Sequence, residues 1–148
     1  MGDDQDSKPD LAVVLGNVDG IEVVLRSVQC TSDGVVIHLY GRPSERTGQL
    51  DADYRAAFEE WARVAVAAKE RGERPRAPPP QPGERLNGLG LILRDDVDTT
   101  YRWQSRQAGG TGTEWDAVWR FAPEPPPEAR ELTVSIDSAD RRPYTERL

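Results

Sequence analysis

Apolar and polar positions alternate along most of this chain, and the alternation is broken once by a longer period. An apolar run at 11–15 is closed by the turn signals Gly16, Asn17, Asp19 and Gly20. Ile21, Val23 and Leu25 then share one face of a period-two segment that continues through Val28 to Cys30. Residues 31–34 end in Asp33-Gly34, a pair that tolerates positive φ and predicts a hairpin turn. Val35, Ile37 and Leu39 resume the alternation against Val36, His38 and Tyr40, until Gly41 and Pro43 stop the strand.

The period changes at 50–71. Tyr54, Phe58, Trp61, Ala65 and Ala68 fall on one stripe of a helix. Asp51 suits its N-cap, Lys69 and Arg71 suit its C-terminal end, and Gly72 suits the stop, so a helix is expected over 51–71. The stripe predicts docking on the rest of the domain, with a homodimer or partner interface through Tyr54, Phe58 and Trp61 as the alternative. Residues 73–84 hold five prolines and read as an extended, mobile, polyproline-like connector.

Alternation returns from Leu86, with Leu89, Leu91 and Leu93 on one face. An acidic turn follows at Asp95, Asp96 and Asp98. Tyr101 and Trp103 belong to a strand ending near Arg106, residues 107–113 form a glycine-rich hairpin loop, and Trp115, Ala117, Trp119 and Phe121 share one face of the return strand. A last strand carries Leu132, Val134 and Ile136. About seven short strands with turn signals between them, and a single helix, predict a mainly β fold. The expected form is an antiparallel immunoglobulin-like β-sandwich with one inserted α-helix, a small barrel being the alternative. The expected organisation is a disordered acidic N-terminus over 1–10, one domain over 11–137 and a polar tail over 138–148.

Composition narrows the function more than it defines it. With 148 residues the chain suits one domain. Its net charge of −7 disfavours nucleic acid and anionic membrane surfaces as partners. Cys30 is the only cysteine, so an intrachain disulfide and a cysteine-based zinc site are both excluded. It is expected to pack as a small apolar residue. The first residues lack a secretory pattern and no apolar run is long enough to span a bilayer, which makes the cytoplasm the expected compartment.

Few residues are candidates for chemistry. Tyr101, Trp103, Trp115 and Trp119 are either sandwich core or a platform for a sugar or base. Asp95, Asp96 and Asp98 converge on one turn, where carboxylates bind calcium or cap the turn backbone, but three of them leave a calcium site short of oxygens. His38 is the only histidine, expected facing solvent or beneath the helix, and no nucleophile motif accompanies it. The glycines at 109–112 lack the Lys-Ser or Lys-Thr of a phosphate loop. The possible binding residues are therefore Asp95, Asp96, Asp98, Trp103 and Trp115, with no catalytic residue, metal or cofactor assigned.

The run from Arg94 to Trp103, with Gly112 to Trp115, Phe121-Ala122-Pro123 and Glu131 to Val134, resembles small, uncharacterised actinobacterial proteins carrying an immunoglobulin-like β-sandwich domain. The resemblance covers the last third of the chain. It implies a sandwich and carries over no catalytic residues. The expected function is a non-enzymatic binding or protein-interaction module. A small-ligand or carbohydrate-binding domain using the aromatic hairpin is the second expectation, and a hydrolase with scattered carboxylates the third.

Overall fold

A computed structural model describes residues 11–112 and 114–148. The expectation of a disordered acidic segment at 1–10 lies outside the described residues. The fold is mainly β, with two antiparallel sheets and one long inserted helix. The larger sheet contains β1 (Val13–Val18), β2 (Ile21–Thr31), β3 (Gly34–Gly41), β5 (Arg102–Gly109) and β6 (Trp115–Ala122), in the order β1-β2-β3-β6-β5. The smaller sheet is β4 (Leu91–Asp95), β7 (Glu131–Ile136) and β8 (Tyr144–Arg147), in the order β4-β7-β8.

Two tight turns explain the larger sheet. Asp19 and Gly20 have φ of 54° and 78°, the doubly positive pattern of a two-residue hairpin turn that matches strand twist. At the next turn the Thr31 hydroxyl accepts the amides of Asp33 and Gly34. Gly34 is required there: its φ is 153°, and a Cβ would sit 1.8 Å from the Phe121 carbonyl oxygen. Turns this short force neighbouring strands to pair, so β1, β2 and β3 are consecutive in one sheet. Immunoglobulin order would divide the second and third strands between sheets. The expectation of two antiparallel layers holds, and that strand order does not.

Three other boundaries differ from the sequence reading. Gly16 and Asn17 do not end β1; the register shifts between Val14 and Gly16, and the strand continues to Val18. Residues 138–148 are not simply a tail, because β8 pairs with β7 from Glu131↔Arg147 to Val134↔Tyr144. Asp140 also accepts the backbone and side-chain amides of Asn17, tying this segment to β1. Leu86 lies in a 3-10 helix, Pro82–Gly88, and the strand begins only at Leu91. This 3-10 helix buries Leu86 and packs on β5 and β6. The core joins Leu15, Ile21, Val23, Leu25, Ile37 and Leu39 of the larger sheet to Leu91, Leu93, Leu132, Val134 and Ile136 of the smaller.

The helix, α1, spans Glu45–Glu70 and starts six residues before Asp51. Ser44 is its N-cap: the Ser44 hydroxyl accepts the Thr47 amide and the Thr47 hydroxyl accepts the Ser44 amide. Asp51 is therefore not a cap. It is 4% exposed and accepts the indole N–H of Trp115 at 3.2 Å. At 26 residues α1 is about 39 Å long, yet the body-facing buried residues Thr47, Leu50 and Asp51 all lie near its start.

The aromatic stripe meets a different surface from the one expected. Gly72, at φ 73°, donates to the Lys69 carbonyl, and Glu73 donates to the Ala68 carbonyl, a Schellman turn that reverses the chain. The proline-rich segment then runs back beside the helix, and the Trp61 indole donates to the Arg76 carbonyl at 2.7 Å. Tyr54 and Ala57 face Pro79, Pro80 and Pro82 across a cleft. The strap thus lies against Tyr54 and Trp61, which meet the connector instead of the sandwich, while Phe58 between them remains 39% exposed.

Candidate functional site

The edge strands β4 and β5 border one open side of the sandwich. Between them lies a cavity of about 480 Å³, lined by Leu91, Ile92 and Leu93 of β4, by Tyr101, Arg102 and Trp103, and by Phe121 of β6. The β4–β5 connection leads into it at Tyr101 and is pinned by carboxylates. Asp95 accepts the amides of Val97 and Thr99 on one oxygen and the Tyr101 hydroxyl, at 2.7 Å, on the other. Asp96 accepts the amides of Arg130 and Glu131, which fixes the start of β7. Asp98 takes φ 59° in the same turn, a conformation short polar side chains tolerate.

The titration behaviour agrees with this structural use. Desolvation raises Asp95, but hydrogen bonds from Thr99, Tyr101 and Val97 outweigh it and hold the carboxyl below its ordinary value. For Asp96 the Arg130 amide is the largest influence and also lowers the pKa. Desolvation and then the Asp95 carboxylate push the Tyr101 hydroxyl upward, so it stays a donor. Among the described residues no group of three or more His, Cys, Asp or Glu could hold a metal ion. The geometry gives Asp95 and Asp96 the task of shaping the arch, the cap role weighed against calcium above.

The aromatic hairpin divides into core and surface. Trp115 and Trp119 are each 1% exposed and belong to the core, whereas Trp103 is 48% exposed. A bulge between Trp103 and Ser105 changes which residues of β5 face inward. Trp103 pairs with Phe121 and Arg106 with Trp119, so Arg106 takes an inward position on an edge strand. Its guanidinium lies 4.5 Å from the Trp103 ring centroid and 5.4 Å from that of Trp119, while the two indoles meet edge to face at 6.0 Å. Arg106 is the member of this site that sequence reasoning missed. The bulge that turns it inward leaves no mark on the pattern of apolar residues.

Trp119 carries a buried indole N–H with no hydrogen-bond partner among the described residues. Trp115, by contrast, is committed to Asp51 on the far side of the hairpin. The structure therefore brings Trp103 to an open cleft, places Asp95, Asp96 and Asp98 in the adjoining turn, and buries Trp115 away from it.

The remaining polar candidates lie elsewhere. His38 sits on the outer face of the larger sheet, not beneath the helix. Burial lowers its pKa, Arg120 and Arg26 lower it further, and Asp116 opposes them. Arg26 bonds to Asp116 at 3.2 Å and lies over the Tyr40 ring. Cys30 is exposed near the end of β2, not packed as expected. No described helix is long and apolar enough to cross a membrane. Comparison with protein-family models, with curated protein sequences and with solved structures finds no match to this chain.

Proposed function

We propose that this protein is a non-enzymatic binding module whose contact surface is the open seam between β4 and β5. The observation that carries the reading is Trp103. A large ring left half in solvent, held by a cation on one side and an indole edge on another, is an anchor kept ready at little conformational cost. The cleft beside it is mostly apolar, with Arg102 as its charged rim, the composition expected of a recognition pocket.

Arg106 already lies over Trp103, and the other tryptophans of the hairpin are buried. A row of free ring faces, which a sugar platform needs, is thus not assembled, and this supports a protein partner over a carbohydrate. The cytoplasm remains the proposed compartment, where an exposed lone Cys30 is kept reduced.

The test separates binding from stability. Fluorotryptophan labelling gives one fluorine signal for each of the four tryptophans, and Trp103→Phe assigns the one at the seam. Peptide and oligosaccharide panels are then titrated in. Ligands are expected to move the Trp103 signal, and Trp103→Ala is expected to abolish binding while costing only about 1–2 kcal/mol of stability, since about half of the ring is already in water. A panel in which every ligand that binds leaves the Trp103 signal in place refutes the seam.

A further inference from the structure

Resting on the seam as the binding surface, we infer that its occupant is an extended acidic peptide segment of a partner protein, added as a fourth strand to the free edge of β4. Three observations converge on this occupant.

The first is the backbone. β4 ends the smaller sheet, pairs only with β7, and keeps an unbroken register from Leu91↔Ile136 to Asp95↔Leu132. The other edges are treated differently. The Leu15 carbonyl of β1 accepts the Arg142 amide, and the far end of β5 is closed where Gly83 donates to the Gly110 carbonyl and Gly110 donates to the Gln81 side chain. The near end of β5 is broken by its bulge, and β8 is four residues long with Glu146 and Arg147 on it. Short, bulged or charged edges resist strand addition. β4 is itself only five residues long and ends in Arg94 and Asp95, but its seam-lining residues Leu91, Ile92 and Leu93 are apolar.

The second is the cleft. A strand added about 4.8 Å from β4 would direct alternate side chains into the space lined by Trp103 and Phe121. Main-chain hydrogen bonds along β4 then repeat with the period of an extended peptide backbone, which can pair with them in register.

The third is charge. Arg102 and Arg106, which meet at the seam, make no ion pair and no side-chain hydrogen bond among the described residues, a state they share with most of the arginines of the chain. The Arg106 guanidinium carbon is held 4.5 Å from the Trp103 ring centroid, and its N–H groups have no acceptor among the described residues, which suits them to a carboxylate. The carboxylates of the adjoining turn are engaged, Asp95 by the Val97 and Thr99 amides and the Tyr101 hydroxyl and Asp96 by the Arg130 and Glu131 amides, so the guanidinium groups of Arg102 and Arg106 are the ones left to meet an acidic partner.

The experiment uses the full chain with a blocked heptapeptide of alternating valine and glutamate, its valine–lysine counterpart, and a set of oligosaccharides. The acidic peptide should move the Trp103 fluorine signal and slow amide exchange across Leu91–Asp95, the lysine peptide should do neither, and added salt should weaken binding. Arg102→Gln combined with Arg106→Gln should weaken the acidic peptide by about tenfold or more, while Arg63→Gln on the helix should leave it unchanged. The inference is overturned if the lysine peptide binds as well as the acidic one. It is also overturned if binding leaves the β4 amides unprotected, or if β4 is protected in a dimer without peptide. Oligosaccharides moving the Trp103 signal where peptides do not would remove the peptide and keep the seam. Silence from both ligand sets would remove both.

Discussion

Trp115 and Trp119 offer an internal comparison in which most of the uncertain terms cancel. Both lie on the inner face of β6 and both are 1% exposed, so replacing either by phenylalanine removes the same ring from the same core. They differ in the indole N–H. That of Trp115 donates to the buried carboxylate of Asp51 at 3.2 Å; that of Trp119 is buried without an acceptor. Trp115→Phe therefore loses a bond to a charged group, about 1.5–3 kcal/mol, and strands Asp51. Trp119→Phe removes a donor whose unpaired burial costs about 1–3 kcal/mol, which offsets part of its packing loss. The first variant should be the less stable by at least about 2 kcal/mol, or about 4–8 °C in Tm for a chain of this size. Urea denaturation followed by circular dichroism measures the difference. A double-mutant cycle of Trp115→Phe with Asp51→Ala should show a coupling of about 1–3 kcal/mol. If Trp119→Phe costs as much as Trp115→Phe, or the cycle shows no coupling, the assignment of these two indoles is wrong.

Two further outcomes follow from the arm and the arch. Gly72→Ala meets no steric neighbour, so its cost is that of a left-handed residue alone, about 1–2 kcal/mol; amide exchange should rise at the helix end and along the strap while the sheets stay protected. Asp95 has a folded-state pKa below its unfolded one, so its contribution is present above the unfolded value and is lost as pH falls through the folded one. Tyr101→Phe should reduce that acid-side loss; an unchanged slope of stability against pH would deny the bond between them.

The parts of the fold that were legible from sequence are those settled locally. Asp19-Gly20 and Asp33-Gly34 specify two hairpins, and the alternating residues between them specify which faces are buried. Gly72 marks the helix stop because only a local backbone conformation is at stake. The helix start was hidden by Gly48, a poor helix former within the first turns, although Ser44 and Thr47 had the spacing of a capping pair. β8 was hidden because an edge strand of four residues, with Tyr144 as its one large apolar side chain, has no period to read. At the site, the turn chemistry of Asp95 was readable, but the stacking of Arg106 on Trp103 was not, since it depends on a one-residue bulge in β5. The strap over Trp61 was invisible for a similar reason: prolines announce an extended chain without saying what it lies against.

The larger sheet has a further consequence for how the molecule is made. Its first three strands are joined by turns of two residues each and can zip together as soon as they leave the ribosome. The β3–β6 pairing must wait for the whole helical excursion and for β4 and β5, since Ile37 meets Trp119 across more than half of the chain. Closing a loop of that size adds only logarithmically to the entropic cost, but no reward arrives until the tryptophans of β6 are in place. Until then the inner face of the meander, with Val35, Ile37 and Leu39, is bare to any other growing chain, and assembly of the protein is a race between that late pairing and misassociation.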